Sequence, residues 1–325
     1  MEMKNSSGPV MKRLTLFAVI AALVALFTSA AGPANAGGDL RHGKVSVDGG
    51  SIHYVRAGNG PPLVLLHGWL GTWYTWNKVI PELARDHTVL AFDLPGIGES
   101  SVYAGGYDKV TTAHRIREAV RKIGFRGQVE LLAHDVGGQV AYPYARDFPG
   151  EVTRLAVIEA LLPGFGQEDF YPFSWHFQFN MSPIAEAVWD TGDTKPILDH
   201  FFDGARHPEN IAREVFYKAY SDPGDRHAGF EYYRSLAADA ANNQANADSK
   251  RLTMPVLAIG GQQALGGIIA GSFRHVANDV REVIAPESGH FTPEENPQFT
   301  AACAKLFFAN TPQPPPPANL TGCAS

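Results

Sequence analysis

The sequence is poor in cysteine, in basic residues and in charge altogether. Two cysteines in 325 residues, Cys303 and Cys323, exclude a disulfide-built scaffold and a cysteine-rich zinc module. Lys and Arg number 27 against 33 Asp and Glu and form no long basic run, so the chain has no electrostatic footprint for nucleic acid. No Cys/His cluster has metal-ligand spacing. Neither a metal nor an organic cofactor is therefore expected. Charged residues make up 18% and apolar residues 45%, the composition of a globular chain rather than a disordered one.

Long apolar runs are also scarce. The longest, Leu14 to Ala30, is short for a membrane span and sits in a leader-like context. Met11-Lys12-Arg13 precedes it, and Ala34-Asn35-Ala36 follows as a small-x-small cleavage pattern. Residues 1–36 are expected to be a signal peptide starting at Met11, leaving a secreted or periplasmic chain. Its removal takes three cations and one acid and moves the net charge from −6 to −8, which disfavours anionic surfaces as partners. In that compartment Cys303 and Cys323 are expected to pair and tie down the tail.

The remaining chain alternates strands with helices. Apolar runs and turn residues predict strands at Ser51–Arg56, Pro62–Leu66, His87–Phe92, Gln128–Ala133, Thr153–Leu161, Met254–Ile259 and Arg281–Ile284. Helical spacing predicts Trp73–Arg85, Lys109–Ile123, Gly137–Asp147, Gly271–Asn278 and a last helix from Pro293 to about Asn310. The alternation implies a mostly parallel sheet with helices on both faces, with function at the carboxyl ends of its strands. It breaks between 163 and 250, an aromatic-rich stretch with no apolar strand, read as a helical cap inserted over the sheet. The core is thus split into 37–162 and 251–310, and 311–325 forms a Pro-rich, extended tail.

Within this frame "LLAHDVGGQVAY", Leu131–Tyr142, has the pattern of the sharp strand-to-helix turn that presents a nucleophile in the α/β-hydrolase fold. Small residues flank the turn, and Asp135 stands where an esterase has serine. The competing reading of Asp135 is a helix cap. His290, in Gly289-His290 after the last strand, is positioned as the general base. The orienting acid has no candidate after Ile259, where the loop reads Gly260-Gly261-Gln262-Gln263-Ala264. Glu159, at the end of an apolar strand where an unpaired carboxylate is costly, is assigned that role, with Asp279 and Glu287 as fallbacks. The backbone N–H groups of Trp69 and Val136 are candidates for an oxyanion hole. His67, His134 and Asp93 are read as structural. A carboxylate nucleophile suits attack on a tetrahedral carbon, followed by hydrolysis of the resulting ester, which narrows the substrate to epoxides or organohalides.

The motifs "LLHGW", "DLPGIGES", "AHDVG", "IEALLP", "WHF", "FEYYRSL" and "SGH" together resemble the epoxide hydrolases of the α/β-hydrolase fold, most closely the secreted bacterial Cif-type group. The resemblance spans nearly all of the mature chain. It implies that His176 and Tyr233 donate to the epoxide oxygen, roles the residues alone do not reveal, since both read equally well as packing. It agrees with Glu159 as the acid, implies an apolar epoxide as substrate and leaves room for a homodimer. Haloalkane dehalogenases typically have Trp after the nucleophile, and fluoroacetate dehalogenases Arg; Val136 is neither, which makes halide hydrolysis the second reading. A non-catalytic secreted effector on the same scaffold is the third.

Overall fold

The computed structural model describes residues 39–311 and 313–324. The expected signal peptide, residues 1–36, lies outside them. Among the described residues eight strands form one sheet: β1 (Arg41–Val47), β2 (Gly50–Ala57), β3 (Pro62–Leu66), β4 (Thr88–Phe92), β5 (Val129–His134), β6 (Val152–Ile158), β7 (Val256–Gly261) and β8 (Val280–Ala285). Their order across the sheet is β1-β2-β4-β3-β5-β6-β7-β8. Only β2 runs against its neighbours; β4, β3, β5, β6, β7 and β8 pair in parallel.

The apolar runs follow from burial on both faces. Val64 and Leu66 of β3, Leu90 and Phe92 of β4, and Leu131 and Ala133 of β5 enter the core on one side of the sheet. Leu63, Leu65, Val89, Ala91 and Leu132 enter the core on the other. The described residues form twelve helices: α1 (Ile80–Leu83), α2 (Lys109–Ile123), α3 (Val136–Asp147), α4 (Trp175–Met181), α5 (Ala185–Trp189), α6 (Lys195–Phe202), α7 (Arg213–Tyr220), α8 (Pro223–Arg234), α9 (Leu236–Asn246), α10 (Ile268–Arg274), α11 (Thr292–Glu295) and α12 (Pro297–Phe307).

Several boundaries differ from expectation. β1 was not foreseen because it is largely exposed and polar, so it carries no apolar signal. The helix expected over Trp73–Arg85 is a 3-10 turn, Trp73–Trp76, followed by the four residues of α1, whose second residue is Pro81. The last helix divides at Asn296-Pro297: proline disfavours helical backbone at the preceding residue, and Asn296 then caps α12 through its side chain. The helix expected over Gly271–Asn278 is α10, which starts and ends earlier. The tail is not wholly extended: Ala318–Cys323 forms a 3-10 turn, and Cys323 is bonded to Cys303 of α12.

Residues 163–250 carry α4 to α9 and none of the eight strands. Lys109, at the start of α2, fastens this segment to the sheet domain. Its buried ammonium donates to Tyr232 O (2.5 Å), Ser235 Oγ (3.0 Å) and Asp239 Oδ2 (2.9 Å), all on or between α8 and α9. Tyr233 is adjacent to the first of these acceptors, so the fastening lies close to the cavity below.

Candidate active site

Two carboxylates are launched by the same backbone device. Asp135 follows the last residue of β5 with φ 51° and ψ −122°, and its N–H donates to Ile158 O of β6 (3.0 Å). Glu159 follows the last residue of β6 with φ 51°, and its N–H donates to Ile259 O of β7 (3.0 Å). In each case the chain bonds to the neighbouring strand and then turns through a left-handed conformation that non-glycine residues rarely adopt. The small residues after Asp135 have a direct cause. A Cβ on Gly137 would lie 2.4 Å from Leu66 O, and one on Gly138 would lie 2.5 Å from Ala160 Cβ.

Asp135 Oδ1 accepts from the Trp69 backbone N–H at 2.8 Å. Val136 opens α3, where a backbone N–H has no acceptor within its own helix. Asp135 Oδ2 lies 3.8 Å from His290 Nε2, and the opposite ring nitrogen, Nδ1, lies 3.2 Å from Glu159 Oε2. Glu159 is buried, and its Oε1 accepts from Gly261 N (2.6 Å) and Leu265 N (3.2 Å). The loop without a carboxylate thus supplies amide donors to one that comes from β6. Of the fallbacks, Glu287 is exposed and pairs with Arg206 at 2.6 Å, and Asp279 offers its backbone carbonyl to Val256 N.

Burial pushes the His290 imidazolium down, but its hydrogen bond to Glu159 and the charges of Asp135, Glu159 and Glu295 outweigh this and hold the ring above its ordinary value. The ring is 38% accessible, on the cavity side. A contact not foreseen from sequence fixes its loop. The buried Glu295 carboxylate accepts from Gly289 N (2.6 Å) and Phe291 N (2.9 Å), on either side of His290, and from Arg206 N (3.1 Å) of the helical segment. In the sequence Glu294-Glu295 reads only as an acidic helix start.

The roof comes from α4 and α8. His176 stacks on Trp69 (5.6 Å between ring centres, 9° between planes), and Tyr233 meets Trp69 edge-on at 5.1 Å. His176 and Tyr233 are 5.8 Å apart, nearly perpendicular. Burial lowers the His176 pKa to about 4, so the ring is neutral near pH 7. Burial, reinforced by the Asp135 charge, raises the Tyr233 phenol well above its usual value and keeps it protonated. These groups and Asp135 line a cavity of about 460 Å³ with Leu161, Phe170, Phe177, Phe201 and Phe291. No lysine or arginine lines it among the described residues. The arrangement offers a carboxylate, an imidazole above its ordinary pKa, a backbone donor and two neutral ring donors to an apolar guest.

The residues read as structural have structural partners. His67 Nδ1 bonds Gly68 O (2.8 Å), and its Nε2 accepts from Leu94 N (3.0 Å). His134 Nε2 donates to His290 O (2.8 Å); burial, then the adjacent His290, lowers its pKa to about 4. Asp93 accepts from Trp73 N, Glu99 N and the His53 ring.

Residues 61–297 match the family model of the alpha/beta hydrolase fold. A soluble epoxide hydrolase of Corynebacterium sp. (strain C12) is 35% identical over 286 residues, covering 83% of this chain and 98% of the relative. A fluoroacetate dehalogenase of Burkholderia sp is 27% identical over 296 residues, 82% of this chain and 93% of the relative. Among solved structures, the Cif epoxide hydrolase from Acinetobacter nosocomialis superposes with a TM-score of 0.78 at 26% identity, over 83% of this chain and 89% of that one.

Proposed function

The chain belongs to the alpha/beta hydrolase fold family, and we propose that it hydrolyses an apolar epoxide to a vicinal diol through a covalent ester on Asp135. Asp135 Oδ2 attacks a ring carbon and the C–O bond opens. The Tyr233 hydroxyl, helped by the His176 N–H, delivers a proton to the leaving oxygen. His290 Nε2 then takes a proton from water, whose oxygen adds to Asp135 Cγ. Negative charge gathers on Oδ1, which the Trp69 amide already holds at 2.8 Å and the Val136 amide joins. As the bond between Cγ and Oδ2 breaks, His290 returns its proton to the departing oxygen, releasing the diol, whose new hydroxyl carries the oxygen of Asp135; the acid left on Asp135 then returns a proton to Tyr233. Glu159 keeps His290 in the tautomer that accepts at Nε2.

The observation that carries this reading is the pair of neutral rings, His176 and Tyr233, packed on Trp69 and lining one cavity with the Asp135 carboxylate. A leaving alkoxide needs a proton, whereas a leaving halide does not. Haloacetate hydrolysis is disfavoured because Val136 offers no cation for a substrate carboxylate, and no lysine or arginine lines the described cavity. The reading extends to a secreted or periplasmic setting, supported by the leader-like pattern of residues 1–36 and by a disulfide of the kind that persists in oxidising compartments.

A single turnover of excess enzyme on styrene oxide or a fatty-acid epoxide in heavy-oxygen water tests the chemistry. The diol is expected to carry unlabelled oxygen, and Asp135 the label. Label in the first diol overturns the covalent step. Asp135-dependent release of fluoride or chloride with no turnover of epoxides overturns the substrate class.

A further inference from the structure

We propose that His42, His53 and Glu99 form a binding site for a divalent zinc-type ion at the edge of the sheet, apart from the residues assigned to hydrolysis. One ligand atom from each lies within 4.8 Å of the other two. His42 is on β1 and His53 on β2. The pairing of His42 with Val55 and of Lys44 with His53 makes the two histidines diagonal neighbours on one face of the ribbon. Glu99 comes from the turn after β4.

The imidazoles are arranged as ligands. His53 is buried, and its Nδ1 lies 2.7 Å from Asp93 Oδ2, so the Nδ1–H donates to the carboxylate and the Nε2 lone pair points outward. A carboxylate behind a histidine is the arrangement that fixes tautomer and ring orientation in metal sites. That lone pair faces His42 Nδ1 at 3.0 Å. Two ligands on a tetrahedral ion with bonds of about 2.0–2.1 Å are separated by roughly 3.3 Å, so an ion enters with a small outward movement of His42. His42 and Glu99 are exposed, which gives the ion a path and its fourth position a water. On binding, the His42 Nδ1 proton passes through solvent to the other ring nitrogen. Two imidazoles and one carboxylate suit zinc and its neighbours rather than calcium or magnesium, which favour all-oxygen sites.

A competitor for Glu99 is present: Lys44 Nζ lies 3.3 Å from Glu99 Oε2 and must give it up. The consequence of occupancy is mechanical. β1 is an edge strand with mostly exposed side chains. An ion shared by β1, β2 and the turn carrying Glu99 clamps that strand to the sheet. The sequence hides this cluster, because its members lie in three separate segments.

The test uses protein without a polyhistidine tag, stripped with chelator and titrated with Zn²⁺ by calorimetry, alongside thermal melts with and without the ion. Wild type is expected to bind one equivalent and to melt at a higher temperature when saturated. His42→Ala, at an exposed position, is expected to fold and to lose this equivalent. Glu99→Gln is expected to weaken it, and Lys44→Gln to tighten it by freeing Glu99. Absence of binding to wild type, or binding unchanged in His42→Ala, overturns the assignment. So does an equivalent that survives His42→Ala and vanishes with Asp135→Ala, since the ion then sits among the catalytic carboxylates.

Discussion

Replacing Glu159 by Gln separates the two halves of the proposed reaction. The side chain accepts from Gly261 N and Leu265 N through Oε1 and faces His290 Nδ1 through Oε2. A Gln can keep its oxygen on the two amides, which places its NH₂ against His290. The imidazole then accepts at Nδ1 and carries its proton on Nε2, beside Asp135 Oδ2, where it cannot take a proton from water. Attack by Asp135 needs no base, so alkylation proceeds. An inverted tautomer of this kind costs on the order of 10⁴ in rate, or about 5 kcal/mol of barrier. Rapid quench followed by intact-protein mass is expected to show the enzyme gaining one epoxide mass and holding it, while steady-state diol formation falls by about 10⁴. Turnover within about tenfold of wild type, a loss of only about 1.4 kcal/mol, refutes the argument. So does an equal loss of alkylation and hydrolysis, because Glu159 then acts on both steps.

Tyr233→Phe is expected to do the reverse, slowing alkylation by about 10²–10³ while a preformed ester hydrolyses at the wild-type rate, as read by single-turnover kinetics. Because His290 titrates above its ordinary value and acts as a base only when neutral, ester hydrolysis should rise with pH through a midpoint above 6.5, with no second acid-side loss near neutrality from His176. The same raised value adds stability that is fully present below about pH 6.5 and is lost as pH climbs through the folded-state midpoint, which melts across that window would register. Gly68→Ala would place a Cβ 2.5 Å from Asp135 Cβ and 2.6 Å from Oδ1. It is expected to turn the proposed nucleophile aside and cost about 10² in kcat, together with about 1–3 kcal/mol of stability from overpacking. Breaking the buried Lys109–Asp239 pair with Lys109→Met should cost about 3–5 kcal/mol in denaturant unfolding, since it strands the Asp239 charge.

What could be read in the sequence tracks how far each feature depends on burial rather than on contact. Strands β3 to β7 announce themselves because most of their residues are buried on both faces, so composition alone marks them. β1 does not, because its side chains meet solvent. Glu159 is legible as a carboxylate at the end of an apolar run, where a charge needs a reason, Asp135 from the small residues around a strand-to-helix turn, and His290 from its place between the last strand and the last helix. His176 and Tyr233 came only through resemblance: in a segment where aromatics fill the core, nothing local distinguishes a donor ring from a packing ring. The grip of Gly261 and Leu265 on Glu159, and of Glu295 on the His290 loop, consists of carboxylate-to-amide bonds. Any residue carries the amide, so these contacts leave no mark in the sequence.

The left-handed backbone at Asp135 and Glu159 has a consequence for how such a molecule changes under selection. Each strained residue costs of order 1–3 kcal/mol that glycine would not incur. A library screened for heat resistance alone would therefore be drawn toward glycine at these two positions and would discard the proposed nucleophile and its proposed acid while enriching sturdier folds. The pressure toward durability and the pressure toward turnover meet, and oppose each other, at the same pair of φ angles.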